Sequence, residues 1–191
     1  MQTFYTRKFL GLDKATGLSV YEDDGATFYH VGNPNPSTLL GLSSTFNYNK
    51  FSLTANMYGA FGQDIYNGPL MAHLNVANIQ GGNNIALSVY KEPVKESFAN
   101  PVTPSSRFIM SGSYFKMANL TLAYAFGNVA KTFKGMNVYV TAQNLFIITK
   151  YPGFDPELNS NASINNIPSL GIDYPHYPTA RTFILGINFS L

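Results

Sequence analysis

Residues 39–61 read LLGLSSTFNYNKFSLTANMYGAF. Up to Tyr48, Leu40, Leu42, Phe46 and Tyr48 fall on one side of an extended chain, against Leu39, Gly41, Ser43, Thr45 and Asn47. From Phe51 the pattern starts again. Phe51, Leu53, Ala55, Met57 and Phe61 oppose Ser52, Thr54, Asn56 and Tyr58. Period-two alternation is the mark of a strand with two unlike faces. Two such runs separated only by Asn49-Lys50 predict an antiparallel hairpin with a tight turn.

The same design recurs downstream. Leu120, Leu122, Tyr124 and Phe126 alternate with Asn119, Thr121, Ala123 and Ala125. Met136, Val138, Val140 and Ala142 alternate with Asn137, Tyr139, Thr141 and Gln143. The closing TFILGINFSL sets Phe183, Leu185, Ile187, Phe189 and Leu191 against Thr182, Gly186, Asn188 and Ser190. Five strands are expected, near 39–48, 51–62, 112–126, 136–149 and 178–191. The segment 69–79, PLMAHLNVANI, has helical spacing at Leu70, Leu74 and Ala77.

The connections alternate in length. Residues 12–37, 63–111 and 150–177 are long; 49–50 and 127–135 are short. In an antiparallel meander, alternate connections lie at the same end of the sheet, so the long ones share one end. Short turns at one end and long loops at the other are the habit of outer-membrane β-barrels. Strands of this length suit a tilted crossing of the hydrocarbon layer. Aromatic residues near strand ends (Tyr48, Phe51, Phe61, Tyr114, Phe126, Phe146) fit interfacial girdles. The fold class is therefore all-β, an antiparallel transmembrane barrel segment. A soluble β-sandwich acting as a carbohydrate-binding module is the alternative for the same alternation.

Composition narrows the function. Charged residues are 12% of the chain, about half the usual share, and the net charge is only +2. No basic stripe points to nucleic acid. Without cysteine there is neither a disulfide framework nor a thiolate metal site. No apolar run is long enough for a transmembrane helix. Asp155 and Glu157 sit two apart with no nucleophile motif beside them, so no catalytic residues are assigned and no enzyme is expected.

Three stretches carry a family resemblance: YFKMANLTLAYAF (114–126), VYVTAQNLFIITKYPGFDPE (138–157) and GIDYPHYPTARTFILGINFSL (171–191). Leu120, Leu122 and Tyr124 are followed by Gln143-Asn144-Leu145. Then come Tyr151, Gly153, Asp155, Pro156 and Glu157, and finally Gly171, Asp173, Tyr174, Tyr177 and Pro178. Together these closely resemble the C-terminal end of SusC/RagA-type TonB-dependent outer-membrane transporters of Bacteroidetes. Residues 8–25 and 31–67 resemble the family more loosely, and about 64–111 least.

That resemblance implies the last five strands of a plugged barrel of about 22. Residues 1–37 would be an extracellular loop region and 38–191 the strands with their loops. The plug would lie outside this chain. It implies uptake of oligosaccharides or peptides across the outer membrane of a Gram-negative bacterium. Energy would come from TonB through the plug, and a SusD-like surface lipoprotein would act as a lid. The remaining partners would be the other barrel strands and outer-membrane lipid, with no nucleic acid.

Substrate contacts from the extracellular loops would fall to Tyr151, Phe154, Asp155, Tyr174, His176 and Tyr177. The competing role for 151–157 is a Gly- and Pro-shaped turn that Asp155 ties to nearby backbone N–H groups. Asn56, Asn119, Thr121, Asn137, Thr141, Gln143 and Asn188 would face the lumen or plug. No metal or cofactor is assigned. The family's Asp-Gly-rich loop is shortened here to Asp23-Asp24-Gly25, which leaves Ca²⁺ in an extracellular loop unsupported. Asp13, Asp23 and Asp24 read as solvated loop.

Gly186, Phe189 and Leu191 match the G-x-x-aromatic-x-hydrophobic signal for barrel assembly. Deleting Phe189–Leu191 from the full protein should abolish its assembly into the outer membrane. Surface labelling checks this, and normal surface levels would refute the assignment.

Overall fold

The computed structural model describes residues 3–128, 135–158, 163–164, 167–168, 170–174 and 178–189. The chain divides into two compact units. One consists of residues 37–61, 113–150 and 178–191, the other of the three segments between and before them.

The first unit is a single five-stranded antiparallel sheet. Its strands are β1 (Thr38–Tyr48), β2 (Phe51–Phe61), β3 (Tyr114–Gly127), β4 (Met136–Thr149) and β5 (Thr182–Phe189). They lie side by side in the order β1-β2-β3-β4-β5, so every neighbour in space is a neighbour among the strands in sequence. Tyr48 pairs with Phe51 across the first turn. Asn49, the first turn residue, takes φ 52°, the left-handed value that such tight hairpins need and that Asn tolerates. The sequence pattern locates all five strands. The terminal one is shorter than expected, because it begins at Thr182 rather than 178.

Register turns the alternation into rows across the sheet. Phe46, Leu53, Leu122, Val140 and Leu185 form one apolar row over all five strands. Tyr48, Phe51, Tyr124, Val138 and Ile187 form the next. On the opposite face run Ser43, Asn56, Asn119, Gln143 and Thr182. Beside them lie Thr45, Thr54, Thr121, Thr141 and Ile184. Here the polar side chains bond across strands. Ser43 Oγ donates to Asn56 Oδ1 at 2.7 Å. The hydroxyls of Thr45 and Thr54 stand 3.2 Å apart, and those of Thr121 and Thr141 2.8 Å. Cross-strand pairs of these kinds contribute about 0.2–1 kcal/mol each, so both faces reinforce one register.

The apolar face is uncovered. Phe46 is 66% exposed, Leu122 48% and Leu185 72%. At its turn end, Phe51 and Tyr124 meet edge-on with centroids 4.7 Å apart, and Tyr124 meets Phe126 at the same distance. Among the described residues, both outer strands, β1 and β5, keep an open edge.

The pairing is interrupted in one band. Between β2 and β3 the register shifts at Asn56/Met57, and between β4 and β3 it shifts at Gln143/Phe146. Within the second break Asn144 takes φ 53°, and its Nδ2 donates to the carbonyl of Ala180 at 3.1 Å. This explains the Gln-Asn-Leu motif: a bulge needs a residue that accepts left-handed backbone, and Asn does so at least cost after Gly.

The second unit is built from segments that the sequence shows only as long connections. Its centre is a three-stranded sheet, Ile172–Asp173 beside Asp64–Asn67 beside Ile109–Ser111; the first pair is parallel and the second antiparallel. Phe4–Thr6 pairs with Tyr29–Gly32, and Phe9–Leu12 with Ser19–Tyr21. Helix α1 (Gly68–Leu74) follows the central strand, and a 3-10 turn (Val76–Gly81) follows that, where helical spacing was expected. Ile65, Phe108, Val76 and Val89 are buried. Strands of two to four residues are too short to display a period, which is why these segments read as loops.

Replacing Asn144 by Ala should lower stability of the assembled protein by about 1–2 kcal/mol, from left-handed strain together with the lost bond to Ala180. Asn144→Gly should recover the backbone part only. Denaturant unfolding in lipid vesicles measures both, and equal losses for the two variants would contradict this role.

Candidate functional site

The two loop motifs of the C-terminal part meet in the second unit. Tyr151 and Asp173 are both buried, and the Tyr151 hydroxyl donates to Asp173 Oδ2. Burial, and then this carboxylate, push the Tyr151 hydroxyl above the ordinary tyrosine range. The ring lies directly under Gly153, where any Cβ would collide with it. This is the position in Tyr-Pro-Gly-Phe-Asp-Pro-Glu that must lack a side chain. Asp155, also buried, accepts from the backbone N–H of Glu157 at 2.9 Å and closes the turn.

Asp173 sits opposite Asn67 in the parallel pair. Asn67 Oδ1 accepts from the Leu70 N–H at 2.8 Å and caps α1, with Pro69 in the first turn. A Cβ on Gly68 would stand 2.7 Å from the Asp173 carbonyl oxygen, so strand and helix start in direct backbone contact. Gly171, at φ 70°, accepts from the Tyr66 N–H at 2.8 Å and brings the Gly-Ile-Asp-Tyr segment alongside. One side chain pair, Tyr151–Asp173, thus fastens the loop after β4 to the segment before β5.

This fastening presents a small surface. Phe154 stands 73% exposed beside His73, Ile85 and Pro152, around a hollow of about 300 Å³. Tyr174 is also exposed. Among the residues read as substrate contacts, Phe154 and Tyr174 are therefore open to solvent, whereas Tyr151 and Asp155 face inward. His176 and Tyr177 lie outside the described residues, as does Leu191. Gly186 and Phe189 lie on β5, and Gly186 pairs with Tyr139 in a position where a Cβ would strike the tyrosine ring.

A second hollow of about 640 Å³ shares Leu70 and Pro152 with the first. Its wall includes a buried ion pair that sequence reasoning missed. Arg107 donates to both carboxylate oxygens of Glu96, at 3.1 and 2.8 Å. Asn100 Nδ2 donates to Glu96 Oε1 at 2.6 Å and to Ser19 Oγ at 3.0 Å, while Asn100 Oδ1 accepts from the Ser19 N–H. Residues 96–107 show no hydrophobic period, so nothing in the sequence marks them.

The acidic loop is occupied internally. Asp23 and Asp24 both take φ 50°. The Tyr29 hydroxyl donates to Asp23 at 2.7 Å, which holds that carboxyl below its usual range and pushes the Tyr29 hydroxyl up to about 12. Asp13 is held low by bonds from Thr16. Among the described residues, no three His, Cys, Asp or Glu side chains gather where a cation could sit.

Over 176 residues the chain is 32% identical to the TonB-dependent receptor SusC of Bacteroides thetaiotaomicron, covering 87% of this chain. It is 29% identical to TonB-dependent receptor P3 of Formosa agariphila, covering 84%. The resemblance to SusC/RagA-type TonB-dependent receptors is borne out. The chain spans only 16% and 17% of the length of those two receptors. Its fold matches part of the RagAB peptide importer in the open-open state, with a TM-score of 0.79 and 22% identity over 99% of this chain and 22% of that one. In the RagAB closed-closed state the score is 0.76. No family model matches the chain. The two relatives are named as TonB-dependent receptors and the solved structure as a peptide importer.

Tyr151→Phe should destabilise the loop unit by about 1.5–3 kcal/mol, the usual worth of a buried hydrogen bond to a charged group. The hydroxyl's pKa is raised on folding, so this contribution is complete below the unfolded tyrosine value of about 10 and fades as pH rises through the folded one. Unfolding of wild type and variant at pH 7 and in strong alkali checks this. A variant penalty that is absent at pH 7 would contradict it.

Proposed function

We propose that this chain is the C-terminal part of the barrel of an outer-membrane, TonB-dependent nutrient importer, together with the loop unit that joins its strands. The observation carrying this reading is the exposed apolar face that runs in register over all five strands. Water would oppose such a face, since soluble monomers seldom expose contiguous apolar patches this large. Hydrocarbon accepts it. The hydrogen-bonded polar rows on the other face suit a water-filled or plugged lumen.

In this assignment β1 and β5 continue into the rest of a 22-stranded barrel, which removes both open edges. The ends of the strands that feed the loop unit face the outside, and the tight-turn end faces the periplasm. The imported solute is an oligosaccharide or a peptide, TonB acts through a plug encoded outside these residues, and a SusD-like lipoprotein covers the loops. The family likeness supports these points. A soluble sandwich would need a second sheet packed on the apolar face, and the described residues of the strand-bearing unit form one sheet.

Leu122 and Thr121 are adjacent on β3 and belong to opposite faces. Leu122→Arg in the complete protein should cost about 2–4 kcal/mol of folding stability in lipid, as for a charge near the bilayer midplane. Thr121→Arg should cost much less. Folding titrations into lipid vesicles give both values, and a larger penalty at Thr121 would overturn the orientation.

A further inference from the structure

We propose that the 640 Å³ hollow in the loop unit is a binding site for an uncharged, largely apolar solute that presents an acceptor oxygen such as an amide carbonyl. This goes beyond the transport reading and does not depend on it, because the site is defined within the loop unit alone. Most of the wall is apolar: Phe9, Leu12, Leu74, Val89, Val94 and Met110 line it. A volume of this size lies within the usual range for small-molecule sites.

The polar element is Arg107. Its side chain is only 15% exposed, and the carboxylate of its partner Glu96 is almost wholly enclosed. The guanidinium lies over the ring of Phe9 at 5.1 Å and near that of Phe108 at 5.7 Å. Those rings and the bidentate bond to Glu96 fix its plane. A guanidinium carries five N–H donors, and the two bonds to Glu96 use one on each terminal nitrogen. The other three donors have no hydrogen-bond partner among the described residues. Arg107 contributes no buried, unpartnered nitrogen, so these donors are open to water or to a ligand that can accept from them.

Charge selects the class further. Glu96 neutralises Arg107, and Glu92 also lines the hollow. The wall is therefore net negative, and an anion would meet repulsion where a neutral oxygen would not. The apolar lining disfavours a sugar ring, whose many hydroxyls would lose water without replacement. A neutral amide bearing a branched apolar group satisfies both conditions.

The test uses the complete transporter in detergent, with N-acetyl-leucinamide as the neutral probe and N-acetyl-leucine as its anionic counterpart. Saturation-transfer NMR and calorimetry should detect the amide, with the acid at least tenfold weaker. Val94→Trp, which fills the hollow, and Arg107→Met should each weaken amide binding at least tenfold. Unchanged heat-modifiable migration of both variants would show that the barrel remains assembled. Should either variant fail to assemble, Leu12→Phe offers a smaller filling change with the same expected direction. No binding of the amide to the wild type overturns the proposal, including the case in which another segment of the protein fills the hollow. Equal binding of the two probes, or binding insensitive to the folded variants, overturns it as well. None of these outcomes bears on whether the protein imports a nutrient.

Discussion

A sheet whose large apolar side chains have no protein cover can persist only against an apolar medium. That constraint governs the strand-bearing unit. Each of the five strands contributes one residue to the row Phe46–Leu53–Leu122–Val140–Leu185, and none of these side chains is buried by the rest of the chain. On the reverse face, hydroxyl and amide groups bond to one another across strands. A one-residue slip in any strand would exchange the two faces, so the environment itself enforces the register. The bulge at Asn144 fits the same logic, because it interrupts pairing where a side chain can still hold the backbone at Ala180, just before β5.

The loop unit obeys the opposite rule. Its strands are short and its core small, and polar side chains that reach backbone groups and one another supply much of the order. Tyr151–Asp173 and Asn100–Ser19 join segments far apart in sequence, while Asn67 at the start of α1 and Glu96 with Arg107 order the chain more locally. Buried polar networks of this kind are costly when incomplete, which gives them specificity in a loop that hydrophobic burial alone would leave undecided.

The legibility of these two units in the sequence follows from that difference. Long strands with unlike faces write their period directly, so Leu120-x-Leu122-x-Tyr124 and Val138-x-Val140 locate β3 and β4 within a residue or two. The rows that join them are not legible, because register depends on the pairing at Asn56/Met57 and Gln143/Phe146. In the loop unit the motif Tyr-Pro-Gly-Phe-Asp-Pro-Glu is visible as a turn, but its partner Asp173 lies 22 residues away. Nothing local predicts that Tyr151 points inward while Phe154 points out. Glu96 and Arg107 carry no signal at all, since an ion pair across a loop has no period.

The account stands or falls on what lies against the apolar face. These residues include no cysteine, so single introduced cysteines along β3 and β4 can carry nitroxide labels in the complete protein in lipid vesicles, with any cysteine elsewhere replaced. Power-saturation EPR then compares access by oxygen, which partitions into lipid, with access by a water-soluble nickel complex. Labels at Leu122 and Val140 should show high oxygen access, and those at Thr121 and Thr141 low oxygen access, alternating at every residue between. High nickel access at Leu122 and Val140, or no alternation, would contradict a lipid-facing wall.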